Sequence, residues 1–362
     1  MITDIIKITD IIKVFVASVS SFIFGILFTP YLTHYLYKYK MWKRSAGKKA
    51  YDGTDAVVFN SLHHDKETGT PKLGGVVIWF SVFFTAIFVW MLSKYFDGQI
   101  LNKLDFISRK QTWIPLSAMI LGAIVGAIDD YLDIKGKGGH FAGGLSLKKR
   151  LFVVGMIGFF CGFWFFDKLE VSSLGLPIGN ELHLGFLIIP LFILTMLFIY
   201  SGGVIDGLDG LAGGTFAVMF SCYMIIAFYQ DQINLAAFCA SVVGGILAFL
   251  WFNIPPARFY MSETGTMALT VTLTIVAFMT DKLGGGYGLL VLPIIAIPLV
   301  VTTLSDIVQI FSKKYFGRKI FKIAPLHHHF EAIGWPSYKV TMRYWILSMI
   351  FGIVGVIVAL MG

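Results

Sequence analysis

Apolar segments of membrane-spanning length recur along the chain, separated by short polar segments. A helix needs about 20 apolar residues to cross the hydrocarbon core of a bilayer, and lipid offers the backbone no hydrogen bonds, so such spans must be helices. The pattern predicts about ten transmembrane helices, near residues 14–36, 75–95, 114–131, 150–166, 184–201, 211–229, 235–252, 266–280, 287–310 and 342–361. We therefore expect an all-α polytopic membrane protein, with residues 1–362 forming one integral membrane domain.

The composition supports this class and excludes an ordinary soluble domain. Of 362 residues, 57% are hydrophobic and only 14% are charged, whereas soluble domains average about 25% charged residues. The first apolar segment is too long for a signal-peptide core and lacks a small-residue cleavage site, so we expect it to be retained as a span. Cys161, Cys222 and Cys239 lie within predicted spans at no metal-ligand spacing, which indicates a packing role.

The distribution of basic residues predicts the orientation in the membrane. Cytoplasmic loops retain Lys and Arg, and 21 of the 29 such residues fall in the loops after the first, third, seventh and ninth spans. Both termini are therefore predicted outside the cytoplasm. The net charge of +8 suits an anionic bilayer surface and anionic substrates, and no nucleic-acid-binding motif is present. On the outer side, alternating residues 169–185 predict a small periplasmic hairpin.

Four polar clusters interrupt the apolar pattern, all on the predicted inner side. Any single acid there is most often an interfacial residue, but Asp129 and Asp130 are adjacent and repel each other unless a cation or proton lies between them. Asp206 and Asp209 are three residues apart and would face the same way on a helical turn. Together the clusters favour a divalent cation and a phosphorylated substrate, because Mg²⁺ takes few carboxylates and shares phosphate oxygens. The clusters are "GAIDDYLD" (126–133), "GVIDGLDGL" (203–211), "FNIPPARFYMSETGT" (252–266) and "PLHHHFEAIGWP" (325–336).

Three consecutive histidines, His327, His328 and His329, allow several interpretations. A three-ligand zinc site is disfavoured because adjacent residues point apart on a helix. A basic surface that meets anionic lipid headgroups accounts for the neighbouring lysines but not for the histidines. Donation to a phosphate or a sugar fits them better.

These motifs resemble a known family. The clusters above, with "GTPKLGGVVI" (69–78), "GGLSLKKR" (143–150) and especially "GRKIFKIAPLHHHFEAIGWPSYKVTMRYWILS" (317–348), resemble the phospho-N-acetylmuramoyl-pentapeptide transferases. These form a branch of the polyprenyl-phosphate N-acetylhexosamine-1-phosphate transferases. The resemblance covers nearly the whole chain, and the triple-histidine segment is its most specific part because it marks the muramoyl-pentapeptide branch.

The resemblance implies a reaction, a cofactor and partners. UDP-MurNAc-pentapeptide would donate its phospho-sugar to undecaprenyl phosphate in the bacterial cytoplasmic membrane, which gives lipid I for peptidoglycan and releases UMP. Mg²⁺ would be the cofactor, the active site would face the cytoplasm, and a homodimer is an oligomeric state to expect. A UDP-GlcNAc:polyprenyl-phosphate transferase is the nearest alternative but would lack "PLHHHFEAIGWP". A cation-coupled transporter, which would hold its acids near the bilayer midplane in two repeats, is a more distant one.

The resemblance also assigns roles to individual residues. Glu263 matches the family's metal-binding Asp, and Asp129 and Asp130 match residues proposed to act on the lipid phosphate, with Asp129 a candidate base. Asp206 and the three histidines complete the expected catalytic set, the histidines beside the phosphate and sugar. Expected substrate-binding residues, including those of the nucleoside pocket, are Lys66, Thr70, Lys148, Arg150, Asp209, Asn253 and Tyr260.

Several positions depart from the family pattern. Gly203 and Tyr200 occupy positions where the family usually has Asn, and Glu263 is one methylene longer than the family's Asp. Asp133 occupies the position after Asp-Asp-Tyr-Leu, where the family usually has Lys. Thr302 and Asp306 also differ. We expect these substitutions to compensate one another. Glu263 would reach the same cation from a backbone that lies slightly farther away, and Tyr260 would stack on uracil. A modified substrate or reduced activity is the alternative.

Overall fold

A computed structural model describes residues 2–44, 68–96, 98, 101–136, 144–176 and 180–361. The described part is almost entirely helical. Its helices are α1 (Ile2–Lys38), α2 (Val76–Tyr95), α3 (Leu101–Leu104), α4 (Trp113–Lys135), α5 (Leu147–Asp167), α6 (Ile188–Ser201), α7 (Leu211–Tyr229), α8 (Ile233–Asn253), α9 (Ser262–Met279), α10 (Gly288–Ile295), α11 (Ile297–Phe316), α12 (Leu326–Ala332) and α13 (Ser337–Leu360). Short 3-10 helices cover Gly185–Leu187, Gly202–Ile205 and Lys282–Gly284.

Nine helical segments in the described ranges are long and apolar enough to cross a membrane, and α10 with α11 makes a tenth if the pair counts as one span. This confirms the predicted all-α polytopic architecture. The span predicted near residues 287–310 is divided between two helices, because α10 and α11 meet at a 67° bend. Pro298 lies in the first turn of α11 and has no N–H to continue the hydrogen bonding of α10.

Helix α9 lies at the centre of the molecule and is buried on nearly all sides. Its buried threonines satisfy their own hydroxyl groups, as when Thr270 donates to the Thr266 carbonyl at 2.7 Å. Helix α4 crosses α9 at Gly122 and Gly126, where a Cβ on Gly126 would lie 2.8 Å from Thr264 Cα. Small residues let membrane helices approach this closely, and the crossing brings the end of α4 against the beginning of α9.

The predicted hairpin is present and packs against the far end of the bundle. Strands β1 (Ser173–Leu176) and β2 (Asn180–His183) pair antiparallel. The Gly175 N–H donates to Asp281 Oδ1 at 2.8 Å, and the Leu289 N–H donates to Asp281 Oδ2 at 3.0 Å. Asp281 therefore ties the hairpin to the α9–α10 connection. We call this region the hairpin end, and the opposite region, where α4 ends and α9 begins, the acidic end.

Candidate active site

The paired aspartates of α4 connect three helices at the acidic end. Asp130 is fully buried, and its Oδ2 accepts hydrogen bonds from the Thr264 N–H at 2.9 Å and the Thr264 hydroxyl at 2.6 Å. Asp129 Oδ1 accepts the Leu145 N–H at 2.5 Å, just before α5 begins. The two carboxylates therefore face different partners, Asp130 toward α9 and Asp129 toward α5.

Glu263, in the first turn of α9, shares a cation with Asp129. Its Oε1 forms an ion pair with the Arg150 guanidinium, which also lies 3.8 Å from Asp129 Oδ2. Its Oε2 accepts the Tyr200 hydroxyl at 3.3 Å. Two departures from the family pattern, Glu263 and Tyr200, are thus in contact with each other. Arg150, an expected substrate-binding residue, lies between two of the expected catalytic and metal-binding acids.

The aspartates of "DGLDG" lie against the segment that leads into α9. Asp206 Oδ2 accepts the Ser262 N–H at 2.7 Å, and Asp209 Oδ2 accepts the Ala257 N–H at 3.2 Å. Desolvation raises the pKa of Asp206 to about 6, with the charges of Asp130 and Asp209 acting in the same direction and the Ser262 N–H and Lys72 opposing it. Asp206 therefore belongs to the same electrostatic environment as the α4 acids.

Asn253 and Tyr260, expected in the nucleoside pocket, shape the surrounding backbone. Asn253 is buried, and its amide accepts the Gly210 N–H at 3.0 Å and donates to the Phe259 carbonyl at 2.8 Å. The Tyr260 N–H donates to the Pro71 carbonyl at 2.8 Å. Asn253 consequently holds the "DGLDG" turn against the α8–α9 connection, and Tyr260 holds the residue 68–75 loop.

Two of the three histidines lie at the acidic cluster. His327 and His328 are buried, their ring centroids are 4.3 Å apart, and a Cβ on Gly207 would lie 2.7 Å from His328 Nε2. Because Gly207 has no side chain, both rings converge on it, so adjacent positions do not point apart here. His329 faces elsewhere and accepts the Lys322 N–H at 3.2 Å through Nδ1.

The structure also brings in charged residues that sequence reasoning did not assign. Lys72 forms an ion pair with Asp133 and lies 3.7 Å from Asp130 Oδ1. Burial alone would lower the pKa of Lys72, but Asp130 and Asp133 outweigh it and the pKa is raised. Glu331 Oε2 lies within hydrogen-bonding distance of His328 Nδ1, at 2.8 Å. The available signals were the position of Lys72 inside "GTPKLGG" and the departure at Asp133.

The remaining expected substrate-binding residues are not all gathered into this cluster. Lys148 is exposed on the first turn of α5, and Thr70 is partly exposed in the loop before α2. Lys66 lies outside the described residues.

The carboxylates at the acidic end have the chemistry of a divalent-cation site. Within the described ranges, no group of three or more His, Cys, Asp or Glu side chains is already arranged as a metal site. The donors are nevertheless carboxylate oxygens, which hard cations prefer. Among the described residues, five carboxylates share two cations, Lys72 and Arg150, which leaves negative charge for a further cation to offset. The five are Asp129, Asp130, Asp133, Asp206 and Glu263.

Comparisons with known proteins show the family to which the chain belongs. The model for "Glycosyl transferase family 4" matches residues 112–281, from α4 to the end of α9. A phospho-N-acetylmuramoyl-pentapeptide-transferase of Geobacillus sp. is 32% identical over 350 residues, which cover 94% of this chain and 96% of the relative. Relatives with the same name from Anoxybacillus flavithermus and Listeria monocytogenes are 33% and 34% identical, over 81% and 82% of this chain and 85% and 86% of their own. With these similarities spanning nearly its whole length, the chain belongs to the phospho-N-acetylmuramoyl-pentapeptide transferase family.

Proposed function

We propose that this protein transfers phospho-MurNAc-pentapeptide from UDP-MurNAc-pentapeptide to undecaprenyl phosphate, which yields lipid I and UMP. The observation that carries the proposal is the convergence of acids from α4, α9 and the "DGLDG" turn at one end of a membrane bundle. A lipid-borne phosphate and a sugar nucleotide can meet only where the bilayer and the aqueous phase are both accessible. The acidic end is such a place, because it lies where the membrane-length helices end.

The orientation that we propose puts the acidic end in the cytoplasm. The loops richest in Lys and Arg adjoin this end, and such loops remain cytoplasmic. Both termini would then lie on the other side of the cytoplasmic membrane. Sugar nucleotides are made in the cytosol, so this orientation gives the donor direct access to the site.

Phosphoryl transfer suits a site that consists of charged side chains in fixed positions. Phosphoryl transfer depends mainly on aligning the reactants and stabilising charge on the transferred group. The lipid phosphate is already a competent nucleophile, and Asp129 would accept its residual proton. Arg150 would be shared among Glu263, Asp129 and the diphosphate, because a guanidinium can bind several oxygens.

Glu263 is the residue that we propose holds Mg²⁺, together with a neighbouring carboxylate. The oxygen donors and the excess of negative charge fit such a cation, and when bound it would offset the charge of the diphosphate. Tyr200 supports Glu263 by hydrogen bonding to Oε2. The longer side chain would therefore be steadied by a residue that also departs from the family pattern.

The other residues would bind the nucleotide and the sugar. Asp209 and Asn253 fix the "DGLDG" turn, which would form one wall of the nucleoside pocket with Tyr260 as the stacking ring. His327 and His328, which converge on Gly207, would donate to the phosphate or the sugar. Thr70 and Lys148 would contact the substrate from the rim, and Lys66 stays an expected substrate-binding residue.

The decisive experiment measures UMP release by the purified protein with undecaprenyl phosphate. UDP-MurNAc-pentapeptide and UDP-GlcNAc are supplied in separate reactions, each with Mg²⁺ or with EDTA. We expect Mg²⁺-dependent release from the muramoyl substrate and a rate with UDP-GlcNAc at least 100-fold lower. Preference for UDP-GlcNAc would instead establish the GlcNAc-1-phosphate transferase activity, and no release from either would contradict a transferase.

A further inference from the structure

The loop before α2 is fastened to the bundle by its backbone on both sides of Lys72. The Lys72 N–H donates to the Met41 carbonyl at 2.8 Å, the Gly74 N–H to the Tyr260 carbonyl at 2.8 Å, and the Gly75 N–H to the Met261 carbonyl at 3.2 Å. A Cβ on Gly75 would lie 2.9 Å from the Met261 carbonyl oxygen. The loop is therefore held by main-chain contacts and does not need the Lys72 side chain as a fastening.

Leu73 has a left-handed backbone, with φ of 69°. Side chains other than glycine adopt this conformation only where the surrounding structure imposes it, and such residues concentrate at functional sites. The conformation turns the chain directly after Lys72. Lys72, the residue before this turn, has its ammonium group against Asp130 and Asp133 of α4.

The two acids that face Lys72 are satisfied to different degrees. Asp133 forms an ion pair with the ammonium, whereas Asp130 Oδ1 remains 3.7 Å from it. Among the described residues, Asp130 Oδ1 accepts no hydrogen bond, although it is buried. A buried carboxylate oxygen left in this state is costly in a purely structural role, which suggests that the arrangement serves a bound group.

Of the two cations described at this cluster, Lys72 is the better placed to exchange its partner. Arg150 is already shared by Glu263 and Asp129, while Lys72 keeps 22% of its side chain exposed and the carboxylates behind it are 8% and 1% exposed. An ammonium on a flexible four-carbon stem can rotate between oxygen partners. A phosphoryl group that approached Asp130 without this cation would meet uncompensated negative charge.

We propose that Lys72 is a phosphate-binding residue of this site and that Asp133 holds its ammonium until phosphoryl oxygens replace that carboxylate. The inference rests on the proposed transferase function and adds a substrate contact to it. The phosphoryl oxygens belong either to the diphosphate of the nucleotide or to the phosphate of the lipid. Both present the same chemistry to Lys72.

The test compares two variants that break the same ion pair. Lys72→Met removes the cation, whereas Asp133→Asn keeps it and releases it from its partner. KM is measured separately for UDP-MurNAc-pentapeptide and for undecaprenyl phosphate. We expect Lys72→Met to raise one KM by roughly 10- to 100-fold, because charge-assisted bonds to phosphate are strong, and Asp133→Asn to leave that KM within about twofold. The substrate whose KM rises identifies the phosphate.

A purely structural ion pair gives a different result. Both variants would then raise KM or lower the melting temperature equally, and this would overturn the proposal, as would no change in either. If Lys72→Met does not fold, Asp133→Asn decides alone, because a raised KM in that variant contradicts the proposal and an unchanged one supports it. Lys149→Met, which alters an exposed lysine of α5, is the matched control. A wild-type protein without UMP release would refute the proposed function, whereas an active wild type with unaltered Lys72 variants would refute only this inference.

Discussion

Each end of the helical bundle contains a buried aspartate, and the two are used differently. At the hairpin end, both Asp281 oxygens accept backbone N–H groups, from Gly175 and Leu289. At the acidic end, one Asp130 oxygen accepts two hydrogen bonds from Thr264, while the other accepts none among the described residues. Asp281 is saturated by the fold itself. Asp130 Oδ1 can still accept a bond. This difference distinguishes a carboxylate that stabilises the fold from one that is available to a substrate or a cation.

The strongest test of this comparison replaces each aspartate by asparagine. Asp130→Asn keeps an oxygen for Thr264 but removes the charge, and we expect kcat to fall by roughly 10³-fold, within the range that positioned acids and bases contribute. Asp281→Asn should instead lower the melting temperature and leave the kcat of the folded fraction within about twofold, because its charge-assisted bonds serve only the fold. UMP release and thermal unfolding in detergent measure the two effects. The reverse pattern would break the comparison.

A pH series on Asp206 sharpens the same distinction. Its ordinary pKa of 3.8 is raised to about 6 in the folded protein, so the charge destabilises the fold. This destabilisation is absent below about pH 4, grows as the pH rises toward 6 and is complete above it. Asp206→Asn should therefore stabilise the protein by about 3 kcal/mol at pH 8 and by much less at pH 4. Equal melting temperatures of wild type and variant at pH 8 would contradict this expectation.

Glu263 tests whether the acidic end binds a cation. Glu263→Gln keeps the length of the side chain but removes its charge, and we expect the Mg²⁺ concentration for half-maximal UMP release to rise by about 10-fold. Glu263→Asp should raise it less. Glu181→Gln alters an exposed ion pair with Lys282 at the hairpin end and serves as the control. An unchanged Mg²⁺ requirement in Glu263→Gln would assign the cation to other carboxylates.

The smallest expected effect comes from glycines at the two ends. A Cβ on Gly207 would lie against His327 and His328, and a Cβ on Gly288 would lie against the Thr280 hydroxyl and its backbone. Gly207→Ala should raise KM for the nucleotide substrate by a few-fold, because the histidines must shift. Gly288→Ala should lower the melting temperature by a few degrees with KM unchanged. Similar KM changes in both would remove the contrast between the ends.

The sequence predicted most of the fold because its signals are local. Membrane-length apolar segments predict helices directly, and the alternation near residue 175 predicted the hairpin. The sequence did not locate the break at Ala296, because a proline that begins a new helix and a proline inside one span look alike in an apolar segment, and only the packing of α10 and α11 distinguishes them.

The candidate site was predicted in part. Asp129, Asp130 and Glu263 do converge, as the assignment of polar clusters to one side required. Lys72 was not assigned, since its position inside "GTPKLGG" does not show that it pairs with Asp133, 61 residues later in the chain. His327 and His328 contact Gly207, whereas His329 does not lie with them. No local pattern in the sequence predicts this difference, because Gly207 is more than 100 residues away in the chain.

The Gly126 crossing has a consequence for how this protein tolerates change. The distance between the acids of α4 and Glu263 is set by main chain resting on main chain within the bundle, rather than by the loops at the acidic end. Those loops can therefore diverge in length and sequence while the spacing of the reactive groups persists. In a mutational survey, substitutions of Gly126 should therefore reduce activity as much as substitutions of the carboxylates, although glycine has no functional group.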